Sequence, residues 1–131
     1  MGRCRVVEPQ LVRLPLSDGD WIDVKGELNA GETRQVQIRQ MRHDSITPGE
    51  RIKLDPAKVA LALALEYVVA WSLVDAHGRV LDVSESALNL IDPDSQREIL
   101  DAVSAHDATV EARREADRKN RLSASTSPAI S

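Results

Sequence analysis

The chain has 131 residues, 42% of them hydrophobic, with 17 basic and 21 acidic side chains and a formal net charge of -4. That length fits one domain, and the acidic balance argues against a general nucleic-acid binder, which carries a basic excess on one face. Cys4 is the single cysteine, so no intrachain disulfide can form, and Met1-Gly2-Arg3-Cys4-Arg5 begins no apolar signal-peptide core.

Residues 1–15 read as extended, with Pro9 and Pro15 punctuating the apolar pairs Val6-Val7 and Leu11-Val12. Ser17-Asp18-Gly19-Asp20 is a turn signal. It predicts a hairpin of Leu11–Leu16 with Trp21–Val24.

Asn29 followed three residues later by Glu32 is a capping-box pattern and predicts a helix from Ala30 to about Arg42. Its apolar residues, Val36, Ile38 and Met41, form no clean stripe. Arg34, Arg39 and Arg42 alternate with glutamines and leave it polar all round. Such a helix is poorly stabilised alone and completes its packing on something else. Ile38 and Met41 are therefore candidate partner-binding residues. The segment 43–55, with Ser45, Thr47, Pro48 and Gly49, reads as a loop.

Asp55-Pro56 is an N-cap followed by a first-turn proline. The Ala/Leu run after it predicts a helix that ends near Ala70. The apolar stretch Val59–Val74 contains one charge, Glu66, and is 16 residues long. Spanning a bilayer takes about 20, so a buried core segment is expected and no membrane partner. Asp75-Ala76-His77-Gly78 is a turn signal. It predicts a second short hairpin near 71–83, with Trp71 and Leu73 sharing one face as further candidate partner-binding residues. Trp71 and Tyr67 carry weight here because the chain has two Trp, one Tyr and no Phe, and each ring buries far more area than Ala or Val.

Ser84-Glu85 begins a short helix through Leu90, and Asp92-Pro93 begins the last one. Ile99, Val103, His106 and Val110 fall on one helical stripe, after which Glu111–Arg121 is dense in both charges. Leu122–Ser131, rich in Ser, Ala and Thr, reads as a disordered tail. The expected fold class is α+β: one domain over residues 1–121, built of an N-terminal hairpin, about four helices and a second short hairpin.

The sequence offers no constellation for catalysis. His43, His77 and His106 have no second His or Cys at ligand spacing. Cys4 has no evident base. Asp18-Gly19-Asp20 and Asp92-Pro93-Asp94 do not continue into a calcium loop. Neither a phosphate loop nor a Gly-x-Ser-x-Gly elbow occurs. The expectation is a non-enzymatic protein with no metal and no cofactor.

Two groups of residues carry a family resemblance. One is Asp18-Gly19-Asp20-Trp21 within the first hairpin; the other is Tyr67 to Asp75 with Gly78. With the polar helix near Gly31-Glu32, Ser84-Glu85 and the last helix bearing His106, the chain from about residue 11 to 110 resembles the tail assembly chaperones of long-tailed bacteriophages with flexible tails. The resemblance implies a non-enzymatic assembly factor in the bacterial host cytoplasm. It would bind the tape-measure protein, keep it soluble, help recruit tail-tube subunits, with possible self-association, and leave before the virion matures. It also implies a longer frameshifted form for many members. It brings no catalytic residues. Two other classes compete: a head–tail joining, neck or tail component retained in the virion, and a small regulatory DNA-associated module using Arg34, Arg39 and Arg42. The charge balance disfavours a specific nucleic-acid partner.

Overall fold

The computed structural model describes residues 4–42 and 55–126, with the side chains of Arg42 and of 123–126 excepted. The architecture is α+β: a three-stranded antiparallel sheet and four helices. The loop expected at 43–55 lies outside the described residues apart from Asp55.

The first hairpin forms as the turn chemistry dictates. β1 (Leu11–Pro15) pairs with β2 (Trp21–Lys25), Leu14 opposite Ile22 and Val12 opposite Val24. A single 3-10 turn at Ser17–Gly19 joins them. Asp18 and Gly19 take positive φ, 58° and 79°, the left-handed region that Gly adopts without strain and Asp tolerates. The Leu16 N–H donates to the Asp20 carbonyl at 2.8 Å and closes the turn. Strand alternation then turns Ile22 and Val24 into the core, both fully buried, while Trp21, Asp23 and Lys25 face the other way.

α1 (Ala30–Arg42) opens on the expected reciprocal cap. Asn29 Oδ1 accepts from the Glu32 N–H at 2.8 Å, and Glu32 Oε1 accepts from the Asn29 N–H at 3.0 Å. Glu32 also takes an ion pair from Lys25. Burial pushes its carboxyl upward, but the Lys25 ammonium and the Asn29 N–H together outweigh that and hold it below the usual carboxylate range. Asn29→Ala is expected to lower unfolding stability by about 1 kcal/mol, measured by urea denaturation; an unchanged midpoint would mean that packing, not the cap, fixes the start of α1.

α2 (Pro56–Tyr67) begins where Asp55 accepts from the Ala57 N–H. It packs against α1 and against the final helix, α4 (Pro93–Thr126). Its small residues lie deepest: Ala62 and Ala64 are buried, while Leu61, Leu63 and Leu65 flank the core half-buried. The Ala/Leu run ends three residues earlier than the sequence predicts. Val68–Trp71 leaves the helix as β3 and adds to the N-terminal hairpin, with Trp71 opposite Ile22 and Val68 opposite Val24 across a bulge at Asp23/Val24. The β-branched Val68 and Val69 favour this extended state, and the exposed edge of β2 supplies the partner.

The second hairpin is correspondingly reduced. Its turn is present, with Gly78 at φ 77°. Beyond it the strands meet at one bridge, Val74 with Val80, made by two hydrogen bonds: the Asp75 N–H to the Arg79 carbonyl at 2.8 Å and the Leu81 N–H to the Leu73 carbonyl at 2.9 Å. The return arm of the predicted 71–83 hairpin, residues 79–83, does not form as a strand of its own.

α3 (Glu85–Leu90) is capped by Ser84 Oγ, which accepts from the Ala87 N–H at 3.1 Å. α4 runs through the charged segment into 122–126, which sequence composition assigns to a disordered tail. Arg114–Glu111 and Arg118–Glu115 pairs one turn apart brace that continuation. Residues 127–131 lie outside the described residues. Ile99 and Val103 of α4 join Ile22, Val24, Tyr67 and Leu88 as the largest fully buried side chains of one cluster that also holds Trp71 and to which each helix contributes. Among the described residues no helix is long and apolar enough to cross a membrane.

Candidate protein-binding surface

The four predicted contact residues separate in space. Ile38 and Met41 share one side of α1, Ile38 half-buried and Met41 59% exposed. Trp71 is 3% exposed and belongs to the core. Its indole N–H donates to the Leu81 carbonyl at 2.7 Å. The expectation that it offers a ring to a partner is thereby corrected. The ring instead closes the sheet against the 74–80 hairpin. Leu73 is half-buried and lines an open groove.

That groove, about 450 Å³, lies between the hairpin and the α3–α4 corner. Leu73, Val74, Leu81, Leu90 and Ile91 give it an apolar lining. Leu90 is 77% exposed and Val74 52%. Three carboxylates, Asp20, Asp75 and Asp92, complete the lining, and no cation stands among them. Each carboxylate is fixed by a local duty. Asp20 accepts from Ser72 Oγ at 2.9 Å. Asp75 accepts from the N–H groups of His77 and Arg79 at 2.8 and 3.0 Å and so shapes the turn. Asp92 caps α4, taking Ser95 Oγ at 2.6 Å and the Ser95 N–H at 3.0 Å, which hold it below the usual carboxylate range. These bonds orient the carboxylates and leave their negative charge in place. The corner itself is held by Gln96 Nε2, which donates to the Leu88 carbonyl at 2.7 Å.

The remaining polar residues singled out in the sequence are bound into the scaffold. Nε2 of His106 lies 2.9 Å from the Lys25 carbonyl and 3.1 Å from the Gly26 carbonyl. Both are acceptors, so that nitrogen carries the proton. The ring meets Tyr67 edge-on at 5.4 Å. The Tyr67 hydroxyl donates to Asp107 at 2.7 Å; burial, then the Asp107 hydrogen bond, push the phenol far above its ordinary value. Arg114 ties α4 to the loop after β2 through Glu27 and the Leu28 carbonyl. On the outer sheet face Arg13 lies 3.7 Å over the Trp21 ring and clasps Asp23 with two nitrogens. That clasp holds Asp23 below its usual range.

Of the arginines weighed for phosphate contact, Arg39 faces Glu66 of α2 at 3.6 Å. Arg34 is exposed, and the side chain of Arg42 is outside the described residues. Cys4 is exposed, and His43 lies outside the described residues. Among the described residues no group of three or more His, Cys, Asp or Glu is placed to hold a metal ion.

Sequence reasoning found one wall of the groove, Leu73, and missed the other. Leu90 ends a helix of six residues and Ile91 caps it, and six residues are too few for periodicity to separate an inward from an outward leucine. Their signal is position: two large apolar residues stand directly before the Asp92-Pro93 helix start, where the chain must turn a corner. No family model, curated protein or solved structure matches the chain.

Proposed function

We propose that this protein is a non-enzymatic tail assembly chaperone. In the host cytoplasm it binds the tape-measure protein, keeps it soluble, helps recruit tail-tube subunits, and departs before the particle matures. The observation that carries the reading is the open apolar groove beside Leu73, in the 67–78 region on which the family resemblance rests. A client with a long apolar helical surface needs such a place to lay a side chain out of water. Scaffold roles for Trp71, His106, Tyr67 and Arg114 agree with a function carried by shape and apolar contact.

The test is co-expression with the tape-measure protein of the same phage, followed by capture and titration calorimetry. The wild-type chain is expected to keep the client soluble. Leu90→Glu, at an exposed groove position, is expected to weaken capture about tenfold or more, as loss of a central interface anchor does, and to leave the thermal midpoint unchanged. Met41→Gln serves as the comparison on α1. Loss of capture with Met41→Gln but not with Leu90→Glu would move the site to α1; no capture by the wild type would overturn the function.

A further inference from the structure

β1 is an outer strand of the sheet, whose order is β1-β2-β3. The Gly26 N–H donates to the Gln10 carbonyl at 2.7 Å, and the Leu16 N–H to the Asp20 carbonyl at 2.8 Å. In an antiparallel ladder both backbone groups of one residue face the partner strand and those of the next face away. With Val12 opposite Val24 and Leu14 opposite Ile22, the even-numbered residues of β1 therefore face β2. Leu11, Arg13 and Pro15 turn their backbone groups to the free side. Pro15 has no N–H, so that side offers donors on Leu11 and Arg13 and acceptors on all three residues. Among the described residues no strand or loop backbone pairs with them. Such an edge is a template for a further strand. The opposite edge, β3, is less suited: it is four residues long, irregular at the bulge, and held against the 74–80 hairpin through the Trp71–Leu81 bond.

The side chains along the edge define what the added strand carries. On the inner face Val12 lines a trough of about 460 Å³ that reaches α4, with Val6 and Val110 in its walls. An apolar side chain beside Val12 fits there. On the outer face Asp23 takes Nε and Nη2 of Arg13 and leaves Nη1 for a second carboxylate. A second copy of β1 is a poor occupant. Centred on one another, the two strands set Arg13 against Arg13, and in the registers on either side Pro9 or Pro15 enters the pairing and withholds a donor.

We infer that β1 receives an extended, proline-free segment of another protein as a fourth, antiparallel strand, with its apolar residues turned to Val12 and its acidic residues to Arg13. The recognition is by strand addition: main-chain bonds to Leu11, Arg13 and Pro15 hold the segment, and alternate side chains select it. It needs neither the groove beside Leu73 nor the client that fills it.

Amide NMR of the isotope-labelled full chain tests this. The probe is a peptide of about six residues, an ordinary strand length, alternating valine with glutamate and blocked at both ends; its like charges keep it from pairing with itself. The Leu11 and Arg13 amide signals are expected to shift on titration, with Kd below about 1 mM. Methylating the peptide nitrogens of the glutamates, which face β1, should abolish binding, whereas methylating those of the valines, which face away, should preserve it. Leu11→Pro removes an outward donor at the first residue of the strand, where proline is tolerated, and should weaken binding about fivefold or more. Leu11→Ala should bind like the wild type, and so should Leu90→Glu, which separates this edge from the groove. Circular dichroism checks the fold of each variant, and the methylated peptides carry the test on the wild-type chain if Leu11→Pro does not fold. Unmoved Leu11 and Arg13 amides at about 1 mM peptide, or equal binding by both methylated peptides, overturn the inference. Shifts of the same two amides with protein concentration alone would assign the edge to a second copy and overturn it as well.

Discussion

Trp71→Ala is expected to lower unfolding stability by about 3–5 kcal/mol, the range for truncating a buried large aromatic residue. The indole lies opposite Ile22 in the sheet and is 3% exposed. Its N–H holds the Leu81 carbonyl and through it the 74–80 hairpin. Removal leaves a cavity in a core built largely of Ala, Val and Leu, whose other buried ring, Tyr67, is held in place by Asp107, and frees a carbonyl at the groove wall. Against a total of about 5–15 kcal/mol for a domain, the variant should be partly unfolded at physiological temperature. Trp71→Phe should recover most of the packing while losing the hydrogen bond. Urea unfolding followed by far-UV circular dichroism measures both. A loss under about 1 kcal/mol for the alanine variant would show that Trp71 is a surface residue after all.

The second large effect is expected at Tyr67, 1% exposed and central to the contact of α2 with α4. Tyr67→Ala should also cost about 3–5 kcal/mol, since it removes the ring that His106 meets edge-on as well as the packing. Tyr67→Phe separates the terms. It keeps the ring and leaves the half-buried Asp107 carboxylate without its donor, for about 1–3 kcal/mol. Thermal unfolding of the two variants at neutral pH, where the phenol is protonated in every form of the chain, checks the ordering. Equal losses would place the whole contribution in the hydroxyl; no loss with Phe would make the Asp107 bond solvent-compensated.

Much of the fold was legible because its signals are local. The Asn29–Glu32 box, Asp55-Pro56, Ser84-Glu85 and Asp92-Pro93 each mark a helix start within a few residues, through bonds between neighbours in sequence. The same holds for the turns at 17–20 and 75–78, where chain geometry needs Gly19 and Gly78 at positive φ. What escaped was non-local. Whether Val68–Trp71 continues a helix or becomes a strand depends on the free edge of β2, more than 40 residues away in sequence, and no local pattern reports it. The burial of Trp71 follows from that pairing, so the ring counted as a candidate contact became core. The last turn of α4, 122–126, was missed for another reason: Leu122-Ser123-Ala124-Ser125-Thr126 has no charge pairs and no apolar stripe, a composition it shares with disordered tails. Of the predicted surface, Leu73 was placed at the groove, Met41 on a separate exposed face, and the Leu90–Ile91 wall was not foreseen.

The most direct measurement is quantitative mass spectrometry of this protein in lysates of the cells that produce it and in particles purified from them. A transient assembly chaperone is expected to be abundant in the lysate beside the tape-measure protein and absent from finished particles. Stoichiometric copies in the particles would contradict that account and identify a retained neck or tail component.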